Sequence, residues 1–280
     1  MPNDRLRQLL NLSFAITLPI VAVLVNLGIT GPTIGAISAR YPTYVVPAGY
    51  AFSIWTLIFA LSVGYGVWQS LPAQRTNPLL RRIGWLTAAA LALTSLWMLV
   101  FQRSLFLLSL GIMFLLLGSL IAVVARLYQQ VNVFSVSEKW LVHVTFSIFL
   151  GWITVATVAN VGQMLVAVGW NGWGMDAENW GLVAILLSGG IASVVTVATQ
   201  GNAAYALTVI WALMAVAVNQ FSRAVPTNST MVGTAAISMI VLIAGALLVS
   251  RRRGLHQKNY PHSNLDRFSI QWMEPSPTSL

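Results

Sequence analysis

Six carboxylates, three histidines and no cysteine are the full stock of acid, base, thiol and metal-ligating groups, tyrosine hydroxyls aside. Their placement is unpromising for chemistry. Asp4, Glu138, Asp176, Glu178, Asp266 and Glu274 all fall outside the long apolar segments. His256 and His262 lie in a polar C-terminal stretch, and His143 stands alone at the end of an apolar segment, where an interfacial hydrogen-bonding role is the simpler reading. No His-x-x-x-His pair and no Gly-x-Ser-x-Gly elbow is present. Ser188-Gly189-Gly190 resembles part of a membrane-protease site, but small residues in a span serve close helix packing. Without cysteine there is no disulfide, thiol nucleophile or thiolate metal site. An enzyme is therefore not expected. Ion-coupled transporters and proton pumps usually keep an ionisable residue facing the bundle interior, and none is offered here.

Tryptophan is the residue in excess, with eleven in the chain. Trp68, Trp85, Trp140, Trp170, Trp173 and Trp180 fall at segment ends, where an aromatic belt at headgroup level accounts for them. Trp55, Trp97, Trp152 and Trp211 fall deep inside apolar segments. A buried indole N–H wants a partner, which suggests a polar contact or a pocket, although packing between helices would explain any one alone. Periodicity groups them. Phe52, Trp55, Phe59, Ser62 and Gly66 share one helical face, as do Thr87, Ala90, Thr94, Trp97 and Phe101. A third stripe, Thr145, Phe149, Trp152, Ala156, Asn160 and Gln163, mixes aromatic, small and amide side chains. Lipid-facing surfaces favour Leu, Ile and Val, so these stripes should face inward. Trp55, Trp97 and Asn160 then share one depth, a composition suited to a large, flat, mostly apolar ligand.

The elements that must position them are membrane spans. Hydrophobic residues make up 57% of the chain and charged residues 8%, against about 25% charged in soluble domains. A span takes roughly 20 apolar residues, and eight segments qualify: 9–29, 50–70, 83–101, 105–128, 140–168, 182–200, 203–221 and 231–250. The expected fold class is all-α, a polytopic transmembrane helix bundle. The first segment is too long for a signal-peptide core and lacks a nearby cleavage site, so an uncleaved span is expected. Alternating the spans from an internal N-terminus puts Arg5, Arg7, Arg75, Arg81, Arg82, Arg126, Lys139, Arg251, Arg252, Arg253, Lys258 and Arg267 on one side. Only Arg40, Arg103 and Arg223 fall on the other. That asymmetry predicts a multi-pass membrane protein with both termini cytoplasmic. The net charge of +9 is then mostly topology and contact with anionic lipid. Nucleic acid is not an expected partner, since the basic residues are spread over separate short loops.

At these residues the chain resembles the TspO/MBR family, the translocator and tryptophan-rich sensory proteins. Pro47-Ala48-Gly49-Tyr50-Ala51-Phe52-Ser53-Ile54-Trp55-Thr56 is similar to the family's Pro-Pro-Gly-Trp-x-Phe and Val-Trp-Thr stretch, with Tyr50 for Trp and one residue fewer before Trp55. Leu93-Thr94-Ser95-Leu96-Trp97 is similar to its Leu-Asn-x-x-Trp, with Thr94 for Asn. Ile148-Phe149-Leu150-Gly151-Trp152, followed by Ala156-Thr157 and Asn160, is similar to its Pro-Tyr-Leu-x-Trp-x-x-x-Ala-Thr-x-x-Asn, without the Pro and Tyr. The resemblance covers roughly residues 1–170, the length of a five-helix family core. It implies a pocket lined by Trp55, Trp97, Trp152, Ala156 and Asn160 that binds porphyrin or haem as ligand, with no required cofactor. The family's cholesterol-recognition segment is not evident.

The expected organisation is a five-helix core over 1–170, three additional spans over 171–250 and a polar cytoplasmic tail over 251–280. The first functional expectation is a sensory or translocator-like protein binding a tetrapyrrole. The alternative is an uncoupled carrier of small solutes or lipids that uses the extra helices; a porphyrin-degrading enzyme ranks last. Membrane lipids and the hydrophobic ligand are the expected partners, and Ala88-x-x-x-Ala92 suits close packing within or between chains, leaving a homo-oligomer open. The added helices are expected to govern stability or assembly more than ligand affinity.

Overall fold

A computed structural model describes residues 2–129, 134–221, 233–237 and 239–249. The chain is an antiparallel helix bundle, and no strand occurs among the described residues. The long helices are α1 (Pro2–Asn26), α3 (Ile54–Ser70), α4 (Pro78–Phe101), α5 (Phe106–Tyr128), α7 (Thr145–Ala167), α8 (Ala177–Ala198) and α9 (Ala203–Phe221). Two short pieces join them: α2 (Ile34–Arg40) in the first connection and α6 (Val136–Glu138) ahead of α7. Seven helical stretches are long and apolar enough to cross a membrane, counting the 3-10 turn before α3 with it and α6 with α7. An eighth apolar helix, α10 (Gly233–Val249), is shorter and corresponds to the last expected span. The tail over 251–280 lies outside the described residues.

Side-chain cross-links fix the up-and-down order at both ends. At the end holding Pro2, the near end, Arg81 donates two bonds to the Asp4 carboxylate, at 3.1 and 2.7 Å. Gln8 and Gln69 each donate to the other's backbone carbonyl, at 2.7 and 2.9 Å, and Asn77 donates to Glu138 at 3.1 Å. At the opposite, far end Thr30 donates to Gln102 at 3.0 Å, and Gln163 to Ser38 at 2.5 Å. Helix starts carry their own signals. Asn77 caps α4 through bonds from Leu79 and Leu80 N–H, with Pro78 as the first helical residue. Ser135 and Glu138 form a capping box. The six residues Lys139–Val144 then widen into a π-helical turn before α7 begins.

The helices extend past the apolar segments and take in three carboxylates: Asp4 in α1, Glu138 in α6 and Glu178 in the first turn of α8. The helices outrun their apolar cores, because a charged residue at a span end is tolerated once paired, as Asp4 is with Arg81. His143 agrees with its expectation, since its Nε2 meets the Tyr128 hydroxyl at 2.8 Å.

The interior is close-packed where helices meet through small residues. A Cβ on Gly66 of α3 would stand 2.6 Å from Ala15 Cβ, and one on Gly151 of α7 only 2.8 Å from the Tyr205 carbonyl of α9. A polar chain crosses the near half between α1, α3 and α4. The Thr87 hydroxyl reaches Asn11 Oδ1 at 2.8 Å and the Gly84 carbonyl at 3.0 Å, and meets the Tyr65 hydroxyl at 2.8 Å. All three side chains are buried. Such a network satisfies groups that lipid could not.

Candidate ligand cavity

At the far end α3, α4 and α7 surround a cavity of about 770 Å³, lined also by the first connection and by Asn219 near the end of α9. All five sequence candidates line it: Trp55 from α3, Trp97 from α4, and Trp152, Ala156 and Asn160 from α7. The second and third stripes face inward, whereas in the first Ser62 and Gly66 are buried, Trp55 and Phe59 are half-buried and Phe52 is exposed, the three aromatic residues lining the cavity. Thr87, Ala90, Thr94, Trp97 and Phe101 are all buried, as are Phe149, Trp152, Asn160 and Gln163. Tyr50 and Thr94, the residues where the motifs depart from the family, are not on the wall. Tyr50 lies edge-on to Trp211 at 5.4 Å, and Thr94 is buried with its hydroxyl bonded to the Ala90 carbonyl at 2.7 Å.

Six aromatic rings among the described residues line the wall: Phe52, Trp55, Phe59, Trp97, Phe101 and Trp152. Trp55 stacks on Phe59, centroids 5.4 Å apart and planes 24° apart, and meets Trp152 edge-on at 6.2 Å. Phe52 meets Trp152 edge-on at 5.7 Å. Edge-to-face pairs hold both rings in fixed orientations. On the opposite wall Trp97 lies against Phe101 at 5.1 Å.

Two polar groups on this wall lack protein partners. Trp97, 8% exposed, has an indole N–H with no acceptor. Asn160, 2% exposed, has an unpartnered Nδ2, while its Oδ1 lies 3.5 Å from Ser109 Oγ. Ser109 has one hydroxyl proton, committed to the Phe106 carbonyl at 2.9 Å. Turning the Asn160 amide end for end would let it donate to Ser109 and leave its carbonyl free instead. In either orientation one polar end of Asn160 is left over. An unpaired buried polar group costs about 1–3 kcal/mol, so a ligand that pairs with it recovers that penalty.

Among the described residues no Asp, Glu, His, Lys or Arg belongs to the wall, and Met98 is its one sulfur residue. Among the described residues no group of three or more His, Asp or Glu could hold a metal ion.

The first connection holds Gly31, Pro32, Pro42 and Pro47. It contains α2, capped by Thr33, and then an extended strap tied down by α9. Ala48 N–H donates to Ala215 O at 2.9 Å, Asn219 Nδ2 to Val46 O at 2.8 Å, Gln220 Nε2 to Tyr44 O at 2.7 Å, and Trp211 Nε1 to Ala51 O at 3.3 Å. Asn219 also lines the cavity, the single wall residue beyond position 170 among the described residues. Sequence reasoning missed it. The available signal was an amide pair, Asn219-Gln220, closing an otherwise apolar segment.

These features define an integral membrane helix bundle of multi-pass type with a neutral, aromatic-walled cavity near one end. The family model described as TSPO-like protein matches residues 8–249, and the chain belongs to that family. The match runs through the helices beyond Val168, which the motif resemblance did not reach. No curated protein and no solved structure matches the chain.

Proposed function

We propose that the protein binds one large, flat, mostly apolar ligand of tetrapyrrole type in the far-end cavity, as a sensory or translocator-like member of its family. One observation carries this reading: Trp55, Trp97, Trp152, Ala156 and Asn160, from three helices, meet on one uncharged cavity of about 770 Å³. That size falls in the range of small-molecule sites, roughly 300–1,000 Å³. Stacked and edge-on rings supply faces for a planar ligand, and Trp97 and Asn160 offer hydrogen bonds to polar substituents at its edge. The reading involves no chemical step. Absorbance titration of the purified protein with protoporphyrin and with haem tests it. Saturable binding to both, near one equivalent, is expected, because retention rests on the ring system rather than on iron. Binding of haem alone would overturn the ring-stacking account.

A further inference from the structure

A second cavity, of about 420 Å³, lies between α7, α8 and the strap segment 42–45. Its chemistry differs from that of the first. Val158, Val161 and Leu165 of α7 face Val183, Ala184 and Leu187 of α8 across it. Two of its polar atoms are already engaged: Trp180 Nε1 donates to Gly172 O at 2.9 Å, and Asn171 Oδ1 accepts from Trp173 N–H at 3.1 Å. A space lined mostly by apolar side chains suits hydrocarbon. The rim opens sideways, since Val183 and Leu187 are 42% and 53% exposed on the outer face of the bundle. From Ala177 to Leu187 the α8 wall runs about 15 Å, at roughly 1.5 Å per residue.

At the mouth stand three tryptophans in mutual contact. Trp170 and Trp180 have centroids 4.7 Å apart, Trp170 and Trp173 5.3 Å, and Trp173 and Trp180 5.9 Å. Trp173 is held outward at φ +53° between two glycines that are also left-handed, Gly172 and Gly174. Its side chain is 81% exposed. Amphipathic rings in that position mark headgroup depth, so the cavity descends from the interface into the hydrocarbon.

We infer that this cavity takes one acyl chain of a membrane phospholipid, with the lipid's glycerol end at the Trp170–Trp173–Trp180 cluster. The site does not rest on the tetrapyrrole reading, but it adjoins that cavity. Pro42 and Thr43 line both. Gly162 of α7 lines the second, with room for a Cβ only 3.4 Å from Thr43 Cγ2, while the next residue, Gln163, lines the first and bonds Ser38. The partition is a single thickness of chain, and an acyl chain on one side braces the wall of the other.

The test is native mass spectrometry of the protein released from phosphatidylcholine-containing bilayers, paired with thermal melts. Ala184→Trp and Leu187→Trp fill the cavity from two positions, and Leu115→Trp adds the same bulk to an exposed site on α5. One retained phospholipid is expected on the wild type and on Leu115→Trp, with a several-fold loss in at least one filled variant that melts like the wild type. Added phospholipid should raise the melting temperature of the wild type and not of that variant. Retention unchanged in both filled variants overturns the site, as does a wild type that neither retains lipid nor responds to it. Loss of a second equivalent of protoporphyrin, rather than of lipid, would assign the cavity to the wrong ligand here and equally overturns it. Protoporphyrin binding at the first cavity is read in the same samples, so failure of one site is distinguishable from failure of the other.

Discussion

Trp152 and Asn160 lie two turns apart on α7, and each carries a burden beyond its own contact with a ligand. Trp152 is 3% exposed and sits edge-on to both Phe52 and Trp55. Trp152→Phe keeps an aromatic ring but loses area and the indole N–H, and should weaken protoporphyrin by about 0.5–1.5 kcal/mol. Asn160→Leu removes the leftover polar end and should cost about 1–3 kcal/mol of binding. An asparagine that merely bridges helices contributes about 0.6 kcal/mol to packing in membranes. In that case Asn160→Leu lowers the melting temperature and leaves affinity alone. Absorbance titration beside a melt on the same samples separates the two outcomes, and unchanged affinity would remove Asn160 from the site. At this scale the sequence was informative because the signal was chemical and periodic: an amide and two large rings at three- and four-residue steps are out of place on a lipid face. Asn219 had no such stripe around it. Its role depends on where α9 ends against a strap more than 170 residues earlier in the chain, and no local pattern encodes that meeting.

The strap and α9 form one mechanical unit. Four hydrogen bonds tie residues 44–51 to α9, and α9 is in turn seated on α7 through Gly151, where a Cβ would stand 2.8 Å from the Tyr205 carbonyl and 2.9 Å from Thr208 Cβ. Backbone on one side leaves little freedom to yield, so Gly151→Ala should push α9 away from α7 at a cost of about 1–3 kcal/mol. The melting temperature should fall, and protoporphyrin affinity with it, because the strap moves with α9. Asn219→Leu makes a narrower cut. It strips the donor from the Val46 carbonyl, and hydrogen exchange at residues 44–48 should accelerate while the long helices keep their protection. Equal exchange in wild type and variant would mean the strap is held by packing alone. Helix existence was legible from apolar length, and Pro72 lies between α3 and α4 while Pro78 opens α4. What was not legible was that helices in the 171–250 stretch do more than flank a finished core. With α9 supplying both Asn219 and the strap's ties, a chain truncated before Asp176 is now expected to lose ligand affinity along with stability.

Alternation of seven long helices, with α10 following, gives the bundle two chemically unlike ends, and that difference fixes how it should sit in a membrane. Among the described residues the near end carries Arg5, Arg7, Arg75, Arg81, Arg82, Arg126 and Lys139, whereas the far end carries Arg40 and Arg103. Cross-links at each end, Asp4 to Arg81 and Thr30 to Gln102 among them, make that grouping spatial rather than a product of counting spans. Basic residues in short loops stay on the cytoplasmic side. The near end should therefore be cytoplasmic, and both the ligand cavity and the tryptophan-mouthed cavity should open toward the opposite leaflet. The chain has no cysteine, so it is already the background for single-cysteine labelling. Arg40→Cys and Arg103→Cys should react with a membrane-impermeant maleimide on intact cells. Ala73→Cys and Thr76→Cys, in the turn between α3 and α4, should react only after permeabilisation. The reverse pattern would invert the molecule and place both cavities at the cytoplasmic leaflet. Labelling of both pairs on intact cells would break the alternation itself, which the end-to-end hydrogen bonds of the folded bundle do not allow.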